Sequence, residues 1–213
     1  MTVHFLIHAS FLIVQSNMNI YIDPYNLNKK HPLADFIFIT HSHYDHLSVE
    51  DIKKILKPET VLIAPSEAES KLKSFKNKKV FVEPNKIYEI DSISVLTVPA
   101  YNLNKNFHPK ANKWCGYILK FKDGSSFFHT GDSDNIPEYS KLANEKISVM
   151  AVCCGGTYTM NWKEAVEATK IVKPKEVIPM HWGSIVGSLD DAKKFSDALK
   201  DSGIKVNLLS QEE

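Results

Sequence analysis

The chain has 213 residues, enough for one sizeable core and too few for two full-sized domains joined by a linker. Apolar residues make up 43% of it and charged residues 24%, which excludes wholesale disorder, fibrous repeats and a membrane bundle. The 26 basic side chains offset 25 acidic ones, so no net field gathers a polyanion; all of the basic residues are lysines, leaving no guanidinium to clamp a phosphate bidentately.

Three β-rich runs open the chain at residues 3–7, 11–14 and 18–22, with turn-forming Gln15-Ser16-Asn17 between the last two, which predicts a meander. The continuous apolar run at 36–39 predicts a strand buried on both faces. Ser48 with Asp51 three residues on forms a capping pattern that opens a helix through Ile52, Ile55 and Leu56, and Pro58 stops it. A strand over 61–64, a helix over 65–74 and strands over 80–82, 86–90 and 93–98 follow. Asp123-Gly124 joins strands at 117–122 and 126–130 as a hairpin. A strand at 149–153 runs into Gly155-Gly156. Asn161 with Glu164 caps a helix through Val172, 176–180 is a strand, Ser188 with Asp191 caps a last helix that Gly203 ends, and 204–209 closes the sheet system. Strands interleaved with amphipathic helices predict an α/β single domain over residues 1–213, two sheets face to face with helices outside.

Cys115, Cys153 and Cys154 are too few and too oddly spaced for a disulfide framework, which suits a reducing compartment. The N-terminal residues lack the basic start, apolar run and cleavage site of an export signal, and no apolar stretch reaches the roughly 18 residues of a membrane span. The expectation is a cytoplasmic protein with no membrane partner and no established oligomeric state.

Chemistry concentrates in His41-Ser42-His43-Tyr44-Asp45-His46, where four metal-capable side chains fall within six residues of a chain holding nine histidines. His41 and His43, two apart in an extended segment, project to one side, while Asp45 and His46, past the bend, aim at a second point nearby, a pattern suited to two neighbouring ions. A solvated histidine loop explains the cluster poorly, because it ends a buried strand. Four donors cannot complete two sites, so others must come from the ends of other strands: His108, Asp132 and His181 qualify. Asp132, with two carboxylate oxygens, is the natural bridge between cations. Histidine-rich N/O ligation favours zinc, with manganese or iron compatible.

The His41-x-His43-x-Asp45-His46 signature, His108, Gly131-Asp132 and Pro179-Met180-His181 together resemble the metallo-β-lactamase superfamily over nearly the whole chain. Ile7-His8-Ala9-Ser10, Ile22-Asp23-Pro24, Val98-Pro99-Ala100-Tyr101-Asn102 and the segment from Gly155 to Met160 resemble its branch of generic metal-dependent hydrolases that includes sugar-phosphate lactonases. The resemblance implies a four-layer αββα sandwich and a dinuclear site: His41, His43 and His108 on one ion, Asp45, His46 and His181 on the other, and Asp132 between them. His129 is the alternative to His108. It also implies that His8 and Asp23 sit close to the site and fix a ligand's orientation, although a plain buried pair explains them equally. Antibiotic-hydrolysing members usually carry an export signal, and the di-iron oxidoreductase branch has glutamate where this chain has His43, so neither activity is the expected one.

The expected function is therefore hydrolysis of a small-molecule ester, lactone or phosphoester, with Asp45 and Asp132 as catalytic carboxylates and two divalent ions as cofactors. An iron-dependent sulfur oxygenase and an RNA-processing nuclease are alternatives on the same fold. The nuclease would need a basic face, and the lysines between residues 71 and 79 read better as a solvated helix end. Tyr101, Asn102, Lys110, Tyr158 and Trp182 lie beside the proposed ligands, where loop packing is the simpler reading and pocket lining the functional one; Lys110 is the nearby cation for an anionic substrate.

Overall fold

The computed structural model describes residues 1–211, and in it the chain divides into two units, one formed by Met1–Glu83 with the residues from Leu209 on, the other by Pro84–Leu208. Each unit holds one mixed sheet and its helices, which is the α/β class expected.

In the first unit β1 (Thr2–Ile7), β2 (Ser10–Gln15) and β3 (Met18–Ile22) form the predicted antiparallel meander. Ser16 and Asn17 both take positive φ, 51° and 63°, the pair of left-handed residues a two-residue hairpin turn requires. β4 (Phe36–Phe38), β5 (Val61–Pro65) and β6 (Lys79–Val82) then add in parallel, giving the order β1-β2-β3-β4-β5-β6. Helix α1 (Val49–Ile55) starts at Ser48, whose side chain accepts from Asp51 N–H, and sets Ile52 and Ile55 against Leu12, Tyr21, Ile37 and Leu62. Phe11, Ile13, Ile20, Phe36, Phe38 and Ile63 alternate with that set and are also buried, which is why the run at 36–39 carries no polar residue.

The stretch at 65–74 departs from the single helix predicted. Pro65 belongs to β5, Ser66–Ala68 is a 3-10 turn, and only Glu69–Leu72 (α2) is α-helical. Neither start has a side-chain cap, so the orphan N–H groups are met by the tighter turn.

In the second unit β7 (Ile87–Ile90), β8 (Ile93–Pro99), β9 (Cys115–Phe121) and β10 (Ser126–His129) run antiparallel in sequence, and β11 (Val149–Cys153), β12 (Glu176–Met180) and β13 (Lys205–Val206) continue in parallel. Helices α3 (Trp162–Val172) and α4 (Leu189–Leu199) carry the capping boxes predicted at Asn161 and Ser188. The closing strand is two residues long, against the six predicted, because it pairs only with Glu176 and Val177, after which Asn207 turns its amide to the Glu176 carboxylate. A 3-10 segment, Pro137–Glu145, was not legible from periodicity.

Strand direction decides where the chemistry goes. β1, β3, β4 and β5 point the same way, so His8, Asp23, the His41 cluster and Glu67 leave from one end of the first sheet. β8, β10, β11 and β12 likewise share a direction, which delivers the loop to His108, Gly131-Asp132, Cys154-Gly155 and His181 to one end of the second.

Candidate metal centre

In the first unit the chain leaves β4 through Ile39 and Thr40 into the histidine cluster. Asp23, buried after β3 with φ of 48°, organises it: its carboxylate accepts from Thr40 N–H at 2.8 Å, Thr40 Oγ1–H at 2.6 Å and His46 Nδ1 at 2.7 Å. A carboxylate only accepts, so the His46 proton sits on Nδ1 and its lone pair on Nε2. Thr40 has given its hydrogen to Asp23, so its oxygen accepts from His41 Nδ1 at 2.9 Å, which places the His41 lone pair on Nε2 as well. His41 Nε2 lies 3.0 Å from His43 Nδ1, and His46 Nε2 lies 3.6 Å from Asp45 Oδ2. His8, with φ of 56°, reaches Asp45 Oδ2 through Nε2 at 3.1 Å. Glu67 accepts from the backbone N–H and hydroxyl of Ser42 at 3.1 and 2.7 Å and so pins the residue between His41 and His43.

In the second unit Asp132 leaves β10 across Gly131. The turn is shaped by His129, whose Nδ1 accepts from Gly131 N–H at 3.0 Å, and by Cys153, whose thiol donates to Gly131 O at 3.2 Å. Burial, reinforced by the Asp132 charge, pushes the Cys153 thiol well above its ordinary range, so it stays a neutral donor. Asp132 Oδ2 lies 3.1 Å from His108 Nε2 and 3.0 Å from His181 Nε2, with all three side chains buried. His181 takes φ of 62°, so the segment after β12 is held in a conformation uncommon for any residue but glycine. Gly155 explains part of that: a β-carbon there would meet His181 O at 2.0 Å, so the β11 and β12 exits approach as closely as they do because residue 155 has no side chain.

Each unit therefore presents donors that suit a divalent cation. The first sheet end gathers His8, His41, His43, Asp45 and His46, and the ligand atoms of His8, Asp45 and His46 lie within 4.8 Å of one another. The second sets two imidazole nitrogens against one carboxylate oxygen. Buried charge of this kind is tolerated when a cation satisfies it, and mixed imidazole and carboxylate donors are those zinc, manganese and iron take.

Other residues are placed differently from the pocket-lining reading. Lys110 Nζ bonds Glu138 at 3.0 Å and Tyr101 OH at 3.1 Å and lies 4.3 Å above the Tyr101 ring, so its charge is engaged within its own unit. Burial alone would raise the Glu138 carboxyl, yet hydrogen bonds from Lys110 and Tyr101 hold it below its ordinary value. Asn102 is buried and faces His108, and Trp182 is buried with its indole N–H on Pro179 O. Cys154 is buried, and burial raises its thiol. Sequence reasoning missed Thr40, Glu67 and Asp134; a hydroxyl directly before the cluster and a second aspartate two residues after Asp132 were the available signals.

These features, two sheet ends bearing His/Asp clusters after parallel strands, agree with the comparisons. The chain belongs to the β-lactamase superfamily: the superfamily's domain description matches residues 2–181. It is similar to a UPF0173 metal-dependent hydrolase of Pyrococcus abyssi, 30% identical over 226 residues that cover 99% of this chain and 97% of the other. A solved candidate metal-dependent hydrolase from Parabacteroides distasonis is 32% identical, with a TM-score of 0.86 over 99% of this chain and 92% of that one. A metallo hydrolase from Ignicoccus hospitalis, 22% identical with a TM-score of 0.81 over 99% and 95% of the two chains, shows the same fold. The metallo-β-lactamase-like α/β fold expected from the motifs is thus the fold of this protein. Among the described residues no helix is long and apolar enough to cross a membrane.

Proposed function

We propose that the protein is a dinuclear metal-dependent hydrolase in which His41, His43 and His108 hold one ion, Asp45, His46 and His181 the other, and Asp132 bridges them. The observation that carries the reading is the approach of His108 Nε2 and His181 Nε2 to the same Asp132 oxygen, at 3.1 and 3.0 Å. The first unit supports it with lone pairs fixed on His41 and His46 Nε2 by the Asp23–Thr40 network. That its curated relatives are named metal-dependent hydrolases supports it further. Zinc is the proposed metal, with manganese or iron as substitutes.

A pair of bound divalent cations supplies Lewis acidity, lowering the pKa of a water from about 15.7 toward 7 and polarising a substrate C=O. The side chains do the rest. Asp132 spreads one negative charge over both ligand sets. Asp45, anchored through Oδ2 by His8 Nε2 at 3.1 Å, takes the nucleophile's proton on Oδ1 and returns it to the leaving alkoxide. Atoms balance as in any ester hydrolysis: water adds across the acyl C–O bond to give acid and alcohol.

Within the ester, lactone and phosphoester classes, a neutral ester or lactone is favoured. On the loop that carries His108, the two lysines within three residues of it are engaged, Lys105 with the buried Asp134 at 2.7 Å and Lys110 with Glu138 at 3.0 Å. The same loop exposes Leu103 and Phe107, the latter packed edge-on against Tyr158 at 4.8 Å, an apolar surface next to the proposed ligand. The deciding experiment is elemental analysis of the isolated protein, then turnover of aryl and alkyl esters, lactones and phosphoesters with that metal present. Two equivalents of zinc and preferred cleavage of the neutral carbonyl substrates are expected. One equivalent of iron with oxygen uptake on a persulfide, or cleavage of RNA with steep salt dependence, would replace the reading.

A further inference from the structure

We infer that Asn102 is a positioning residue that holds His108 in the tautomer with its proton on Nδ1 and its lone pair on Nε2. The inference rests on His108 being a metal ligand, as proposed above, but it concerns a residue whose chemistry neither the family motifs nor the relatives' names assign. It follows because every neighbour in the network can play only one role.

Asn102 Nδ2 donates to Asp134 Oδ1 at 3.1 Å and to the Tyr158 carbonyl at 2.9 Å. Both partners only accept, so the amide cannot be reversed without setting oxygen against oxygen twice. Its Oδ1 is then the acceptor for His108, meeting the backbone N–H at 2.9 Å and ring Nδ1 at 3.2 Å. The other neighbour of Nδ1 is again the Tyr158 carbonyl, at 3.2 Å. Facing two acceptors, Nδ1 must carry hydrogen, so in the neutral ring the lone pair falls on Nε2, where a bound cation, and not the Asp132 oxygen 3.1 Å away, would take it.

The amide's own orientation is enforced in turn. Asp134 is buried and its two oxygens also accept from Leu103 N–H at 2.9 Å and Lys105 Nζ at 2.7 Å, while its backbone N–H donates to Tyr101 O at 2.9 Å. Asp134 lies two residues beyond Asp132 and Asn102 six before His108, so one carboxylate–amide contact ties together the loops bearing two proposed ligands. Asn102 N–H to His108 O at 2.8 Å closes the loop on itself, and the Trp114 indole packs edge-on to the His108 ring at 5.6 Å.

The test compares wild type, Asn102→Ala and Asn102→Asp, each labelled with 15N histidine. Long-range 1H–15N spectra of the zinc-free proteins give the His108 tautomer, with His108→Gln for assignment, and competition with a chromophoric chelator gives zinc affinity. In wild type hydrogen on Nδ1 is expected, and a ring with hydrogen on Nε2 alone is not. Asn102→Ala should show a mixture of tautomers and bind zinc about 10–100-fold more weakly, the usual cost of losing a ligand's outer partner. Asn102→Asp, which keeps an acceptor for Nδ1–H but sets an oxygen against Asp134 and the Tyr158 carbonyl, should retain the tautomer while losing stability and part of the zinc affinity. An unchanged tautomer and affinity in Asn102→Ala would overturn the inference. If Asn102→Ala does not fold, Asn102→Asp decides alone: Nδ1–H upholds it and Nε2–H overturns it. A wild type that takes up no zinc would sink the hydrolase reading while the tautomer comparison still judged Asn102.

Discussion

His41 and His46 are oriented by a threonine and an aspartate, neither of them a proposed metal ligand. Asp23 accepts from His46 Nδ1 at 2.7 Å and from the Thr40 hydroxyl at 2.6 Å, and Thr40 in turn accepts from His41. Asp23→Asn replaces an acceptor by an amide donor in a fully buried place, and we expect zinc affinity to fall about 10–100-fold in a chelator competition while the fold persists by circular dichroism. Asp132→Ala removes the proposed bridge; elemental analysis should find the metal lost and turnover abolished. Full turnover of metal-free protein would refute the mechanism. At this scale the donors themselves were readable, since histidine and aspartate at close spacing are rare without a use. Their orientation was not: Asp23 and Thr40 are 17 residues apart and meet only because β3 and β4 pair in parallel.

Helix α1 shows how an element is fixed by its ends. Asp51, three residues into its capping pattern, is buried, which by itself would raise its carboxyl. Hydrogen bonds from Lys54 and Ser48 and from the backbone of Leu27 and Asn26 outweigh burial and hold it below its ordinary value. A depressed folded value means the stabilisation is present above the unfolded pKa of about 3.9 and is lost as pH falls through the folded one. Urea melts of wild type and Asp51→Ala should therefore differ most near neutrality and converge in acid. Gly155 tests the other sheet. A methyl there meets backbone, not a yielding side chain, so Gly155→Ala should cost about 3 kcal/mol or more in urea denaturation. A loss under about 1 kcal/mol would show that the β11 and β12 exits can part. Caps and hairpins were legible at this scale because they are local; the short closing strand and the broken helix after Pro65 were set by pairing partners and missing caps.

For the whole molecule, we propose that residues 1–213 fold as one domain despite dividing into two units. Near- and far-ultraviolet melts should coincide, with calorimetric and van't Hoff enthalpies equal; two separated transitions would refute this. Zinc at about 100 times its dissociation constant should add about 2.7 kcal/mol by mass action, and the gain should vanish in Asp132→Ala. The sequence by itself determined the composition of the core strands, the caps, the hairpin turns and the identity of the metal-capable residues, because each is written in neighbours a few positions apart. Tertiary structure alone decided which partners face the ring nitrogens of His41, His46 and His108, and that Lys105 and Lys110 pair with Asp134 and Glu138. Those facts depend on donors and acceptors brought together from separate loops, and a hydrogen bond's direction is settled by its partner, which the local sequence does not name.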